Sequence, residues 1–314
     1  MIRYVIKRLL LIIPIIIAVS FLIFVIINMA PGSALSYLTP EGATPEEVAE
    51  IAHKYGFDKP VVQRYFEYMI GLAHGDLGVS YISGLDVFDT YMSKLPATLA
   101  LAGASILVAI LLAIPIGIYA AIHNGSLQDN VSMVFALIGV SMPTFWLGLL
   151  FIILFSNKLG LLPSGGFDAG IKSIILPALT LGLSLMAVIT RTTRSSMLDV
   201  LRQDYLLTAR AKGVGEKTVV RKHALKNAMI PILTVIGTQL ATVMGGSLLV
   251  ETVFAWPGCG RLLIDALNNR DTPMLTGCII IKTILISLML LIVDLLYAAV
   301  DPRVKAQYAK GGKR

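Results

Sequence analysis

Charge is scarce along this chain. Asp, Glu, Lys and Arg make up 14% of its 314 residues, apolar residues make up 56%, and the mean hydropathy is +0.80. A soluble domain has no means of covering so much apolar surface, so the composition excludes a water-soluble fold and indicates an integral membrane protein. Cysteine is nearly absent too. Cys259 and Cys278 alone make neither a metal-ligand pattern nor a disulfide framework, and two independent free thiols are expected. The four histidines, His53, His74, His123 and His223, are scattered without ligand spacing, so no metal site is expected. No Ser/His/Asp arrangement and no His-Glu-x-x-His stretch supports an intramembrane hydrolase, and no catalytic residue is expected. Gly215-Glu216-Lys217-Thr218 looks like the end of a phosphate-binding loop, but Glu216 stands before Lys217 where that loop needs Gly, and no strand precedes it. Any ATP-driven work must therefore fall to a separate subunit, and no cofactor is expected in this chain.

What the chain does have is long apolar runs. Spanning a bilayer core takes roughly 20 apolar residues as a helix, and six runs qualify: about 9–29, 96–121, 131–155, 173–190, 229–250 and 275–299. The fold class expected is an all-α integral membrane protein with six transmembrane helices. Internal prolines at 14, 115, 143, 177 and 231 suit membrane helices, where neighbours re-satisfy the freed backbone groups. The first run is longer than the apolar core of a cleaved signal and reads as a retained helix. Charge sets the orientation. With both termini in the cytoplasm, the inside segments carry seventeen Lys/Arg and the outside segments eight, while thirteen acids lie outside and five inside. This satisfies the positive-inside rule, so the net charge of +7 reflects topology and not nucleic-acid binding.

The boundaries that follow are a first helix over 1–30, an outer loop over 31–95, a membrane core over 96–300 with a cytoplasmic loop at 194–228, and a tail over 301–314. The outer loop reads as helical. Thr44-Pro45-Glu46-Glu47 has the form of a capping box with Pro at the first helical position. A second helix starts at Asp58-Lys59-Pro60 with Val61, Tyr65, Met69 and Leu72 on one face, and a short one covers Asp86–Ser93. Such a loop either packs as a lid on its own helices or meets an external partner. The cytoplasmic loop reads as a helix from Arg194 to Lys212 stopped by Gly213, then a second helix from about Glu216, with Pro231 kinking or restarting the chain. Physics alone leaves two readings: a compact knob for a partner, or a basic loop held by anionic lipid.

The motifs then become recognisable. The opening Met1-Ile2-Arg3-Tyr4-Val5-Ile6-Lys7-Arg8-Leu9-Leu10, then Gly75-Asp76-Leu77-Gly78, Leu95-Pro96-Ala97-Thr98-Leu99 and Gly139-Val140-Ser141-Met142-Pro143, are followed by Thr208-Ala209-Arg210-Ala211-Lys212-Gly213. Glu251-Thr252-Val253-Phe254, Trp256-Pro257-Gly258-Cys259-Gly260 and Asp301-Pro302-Arg303 complete the series. In this order they resemble, nearly end to end, the permease subunit of ATP-binding-cassette importers in the dipeptide/oligopeptide/nickel branch. The resemblance implies the type I ABC-importer permease fold and alternating access across the cytoplasmic (inner) membrane. It also implies partners: a homologous second permease, two ATPase subunits that bind ATP and Mg, and an extracytoplasmic solute-binding protein. It casts Thr208, Ala209, Arg210, Ala211, Lys212 and Gly213 as the ATPase-coupling segment, although Leu207 replaces the Glu that opens the family-wide signature. Glu251, Phe254, Pro257, Gly258 and Gly260 form the extracytoplasmic signature. Peptides are the first expected substrate and nickel or a metal chelate the second.

Two further features come from the residues themselves. In the fifth span Gly237, Ala241 and Gly245 make a small-xxx-small packing face, beside a polar stripe of Thr234, Thr238 and Thr242 with Gln239. The stripe either lines the pathway or bonds back to its own helix. Lys282 and Asp294 are intramembrane charges too far apart to pair, and structural roles are expected for them. An ion-coupled secondary transporter, the remote alternative, would need carboxylates on the pathway and internal repeats, and no repeat is evident.

Overall fold

The computed structural model describes residues 2–29 and 34–300, so Asp301-Pro302-Arg303 and the tail lie outside the described residues. The described chain is helical, with one isolated bridge, Val79 to Asp86, outside the helices. Helix α1 (Ile2–Met29) leads to α2 (Ala34–Leu38), α3 (Pro45–Lys54) and α4 (Val61–Ala73). The Thr44 capping box is present in full: the Glu47 amide donates to the Thr44 hydroxyl and the Thr44 amide to the Glu47 carboxylate. Next come α5 (Val87–Ile122), α6 (Leu127–Ser141) and α7 (Thr144–Phe151), the last extended by a π-helical turn at Ile152–Lys158. Helix α8 (Ile171–Leu201) precedes α9 (Asp204–Ala211) and α10 (Glu216–Thr218), and a second π turn at Val219–Ala224 joins α10 to α11 (Leu225–Gly246). Helices α12 (Leu248–Val253), α13 (Cys259–Asn268) and α14 (Thr272–Val300) close the described chain.

Five helices are long and apolar enough to cross a membrane, and α6 with the α7 segment makes a sixth span only as a pair bent by 96°. The apolar run at 131–155 is thus not one straight helix. Pro143 cannot supply the amide that would continue α6, and Met142 before it is driven to extended backbone, ψ 141°. Other expected boundaries also move. Asp86–Ser93 is not a separate short helix, because α5 starts at Val87 and runs on through Pro96. The helix expected from Arg194 is instead the end of α8, which continues to Leu201. Pro231 lies inside α11 and restarts nothing.

The residues gather into two compact units. One is built on Leu99–Trp256, with the first residues of α1 and the last turns of α14. Its centre is α8, two-thirds buried along its apolar window and flanked by α6 and α11. Backbones approach so closely there that a Cβ on Gly139 would strike the Leu183 carbonyl. Arg194 donates to both carboxylate oxygens of the buried Asp129 at 2.6 Å and to Asn124 at 2.9 Å. This bidentate pair ties the start of α6 to the C-terminal part of α8. The Tyr4 hydroxyl donates to Asp294 at 2.7 Å, giving the intramembrane acid the structural role expected for it.

The other unit is Ile6–Thr98 with Pro257–Ser287. There Tyr65 of α4 sits edge-on to Phe21 and Phe24 of α1, with its hydroxyl 3.2 Å from that of Ser20. Asp271 accepts from Ser80 Oγ at 2.5 Å and from the Tyr81 amide at 3.1 Å at the mouth of α14. Cys259 and Cys278 are buried and unbonded to each other.

Substituting Gly139→Ala puts a methyl against rigid backbone and should destabilise the protein by about 1–3 kcal/mol. Gly103→Ala, where a Cβ meets nothing within 4 Å, serves as the neutral control. Thermal unfolding of the purified variants in detergent checks the contrast.

Candidate coupling and pathway sites

The basic segment between α8 and α11 folds as a knob around Gly213. Helix α9 starts with Asp204 in its first turn, which suits the helix dipole. It ends in a Schellman arrangement: the Gly213 amide donates to the Arg210 carbonyl at 2.9 Å and the Val214 amide to the Ala209 carbonyl at 3.2 Å. Gly213 has φ +76°, a left-handed conformation that costs glycine little. The knob is seated by the fully buried Leu206, which joins Met197, Val219, Val220 and Ala224, with Ala209 and Val214 packed alongside. Leu207, Thr208, Ala211 and Lys212 remain exposed.

Arg210 does not point away from the knob as a lone cation. Its guanidinium grips Glu216 with two bonds, 2.8 and 3.0 Å, across the Gly213 turn. The Glu216 carboxylate holds the Arg210 pKa above its ordinary value. Both side chains are substantially exposed, so the pair contributes less than about 1 kcal/mol and acts mainly to fix the turn's geometry. Asn227 adds a 2.8 Å bond to the Tyr205 hydroxyl. From Glu216 onward the chain is helical through α10, the π turn and α11, with no break.

On α11 the small-residue face is packed. A Cβ on Gly237 would meet the Val293 side chain at 2.7 Å, Ala241 is buried and Gly245 is half-buried. The threonine hydroxyls are spent on their own helix: Thr234 donates to Ile230, Thr238 to Val235 and Thr242 to Thr238, at 2.9–3.1 Å. Thr238 and Thr242 are nevertheless exposed, with Gln239 half-buried beside them, and their oxygens retain acceptor capacity.

The Glu251–Trp256 half of the signature is a buried anchor. Glu251 is fully buried and accepts from Ser247 Oγ at 2.8 Å, while its carbonyl accepts from the Trp256 amide at 2.8 Å. Ala255 turns the chain with φ +49°. The Phe254 carbonyl accepts from the Gly166 amide at 2.8 Å, Gly165 lies against the same carbonyl, and Phe167 stacks edge-on to Trp256 with centroids 5.0 Å apart. In the other unit, Gly258 caps α13, Gly260 is buried and Pro257 is half-buried. Sequence reading passed over Gly165-Gly166-Phe167, Asp129 and Arg194; the paired glycines before an aromatic were the visible cue for the first. Phe254→Ala should cost about 3–5 kcal/mol, because it empties a buried ring site. Loss of folded protein or a lower unfolding temperature checks it.

The comparisons agree with this geometry. The fold resembles the inward-facing MetNI methionine ABC transporter, with TM-score 0.58 at 19% identity over 68% of this chain and 96% of that one. The chain is 39% identical to the dipeptide transport system permease protein DppB of Escherichia coli K12, across 97% of this chain and 99% of that protein. It is 42% identical to the glutathione transport system permease protein GsiC of Escherichia coli O6:H1, across 97% and 99%. The model of the binding-protein-dependent transport system inner membrane component matches residues 113–306, and the model of that family's N-terminal part matches residues 1–102. The expectation drawn from the motifs therefore holds, and the secondary-transporter alternative falls. The chain belongs to the binding-protein-dependent transport system inner membrane components, multi-pass permeases of ABC importers, in their dipeptide/oligopeptide branch.

Proposed function

We propose that this chain is the permease subunit through which an ATP-driven importer carries di- and oligopeptides across the cytoplasmic membrane by alternating access. Both termini face the cytoplasm in this reading. The partners are a homologous second permease, two ATPase subunits that hold ATP and Mg, and an extracytoplasmic solute-binding protein. The descriptions of the relatives named above, dipeptide and glutathione permeases, favour peptides. No observation favours the nickel alternative.

The observation that carries the mechanism is the continuous helix from Glu216 to the end of α11. An ATPase subunit seated on the exposed side of Thr208, Ala211 and Lys212 would push a knob that cannot flex at its turn. Leu206 and the Arg210–Glu216 clasp hold it rigid. The displacement passes along one helix to Gly237 and the exposed Thr238 and Thr242. In this reading those threonines offer weak acceptors to a passing peptide, which suits transport because tight binding would slow release. Glu251, Phe254, Pro257, Gly258 and Gly260 keep the outer end of the pathway in shape.

A strain lacking this chain should lose uptake of a labelled dipeptide and regain it with the wild-type chain; unchanged uptake would refute the substrate assignment. Gly213→Pro cannot adopt φ +76° and removes the amide bonded to Arg210. It should leave membrane insertion at wild-type level and reduce dipeptide uptake to background, with ATP hydrolysis no longer stimulated by the loaded binding protein. Arg210→Glu should lower uptake severalfold, and the exchange Arg210→Glu with Glu216→Arg should restore most of it, as double-mutant uptake rates would show.

A further inference from the structure

The unit of Ile6–Thr98 with Pro257–Ser287 contains a cavity of about 140 Å³ that the transport mechanism does not use. Its wall comes from five places in the chain. Phe24 belongs to α1, Tyr55 and Gly56 follow α3, Arg64, Glu67 and Tyr68 lie on α4, Tyr81 precedes α5, and Thr272 and Thr276 open α14. Two of its side chains are unsatisfied. Tyr68 Oη and Thr276 Oγ1 are buried and have no hydrogen-bond partner among the described residues. Thr276 is 1% exposed. Burial pushes the Tyr68 phenol well above its ordinary pKa, so it stays a donor. A buried hydroxyl left without a partner is costly, and such groups mark an occupant.

The rest of the wall says which occupant fits. Arg64 and Glu67 are three residues apart on α4, so opposite charges share one helix face. The Arg64 guanidinium lies over Phe57, 4.7 Å from the ring centroid. Glu67 sits at the exposed rim, with both oxygens on Lys59 at 2.8–2.9 Å, and keeps lone pairs to spare. Phe24, Tyr55 and Tyr81 supply aromatic surface. Water would satisfy the two hydroxyls but would make no use of the guanidinium, the carboxylate and the ring surface that border the same space. We propose that this cavity is a binding site for a small zwitterion of the α-amino-acid class. Its carboxylate faces Arg64, its ammonium faces Glu67, and its body lies against the rings and the two hydroxyls.

The inference stands apart from the transport reading, because it is tested by equilibrium binding without nucleotide or solute-binding protein. Radiolabelled L-alanine, L-serine and L-leucine would be dialysed against the assembled, detergent-solubilised complex. The expected result is saturable binding of at least one of them. Tyr68→Phe and Thr276→Val, which keep shape and remove one hydroxyl each, should each weaken it by at least about fivefold. Glu67→Gln, on the exposed rim where folding is not at stake, should weaken it as well and carries the test if a buried variant fails to assemble. No saturable binding of any of the three would assign the cavity to water and overturn the proposal. Binding unchanged in the variants would place the ligand elsewhere and overturn it equally.

Discussion

The structure depends first on one constraint: in hydrocarbon no backbone N–H or C=O finds water, so each must be bonded within the chain. Helices meet that demand locally, and two of them run far beyond the apolar runs that nominate them. Helix α5 extends over 36 residues and α8 over 31. The one place where a span breaks, at Met142-Pro143, is where proline has already removed the amide that would continue it. The second consequence concerns side chains. Threonine hydroxyls return to their own helix, as those of Thr234, Thr238 and Thr242 do, so a polar stripe need not remain a donor surface.

Once the backbone is satisfied, apolar burial adds little force between helices in lipid, and close packing with a few polar ties decides the arrangement. Small residues do the first task at Gly139 and Gly237. The Asp129–Arg194 pair does the second. Its position matters for function, because it grips α8 just before the chain leaves for α9. A rigid α8 end and a rigid knob give the ATPase partners of the proposed importer something to push against. The π turn at Val219–Ala224 lies in the same stretch, where altered helical pitch often marks a working part.

The unit of Ile6–Thr98 with Pro257–Ser287 follows another economy. Short helices, aromatic contacts and one well-placed acid, Asp271, hold it together. Its loop is not merely a lid of polar linkers. Tyr65 and Met69 dock on Ser20, which gives α4 a fixed seat on α1.

Much was legible from local pattern. The apolar runs announced the spans, Thr44 with Glu47 announced the first helix of the loop, and Gly213 announced its left-handed cap, because each signal is written within a few residues. The motifs added the family. Local pattern failed at boundaries: the helix expected from Arg194 is the end of α8, which stops at Leu201 before α9 begins at Asp204, and the short helix expected at Asp86–Ser93 is the first part of α5. The pairings were also invisible beforehand. Asp129 finds Arg194 from 65 residues away, Ser80 finds Asp271 from 191, and Tyr4 finds Asp294 from 290. Periodicity carries no information across such separations. The sequence alone determined that this is a helical membrane permease with a glycine-capped turn at Gly213. The tertiary structure decided which charges are neutralised, which threonines are spent and where a cavity is left, because those outcomes depend on residues that only folding brings into contact.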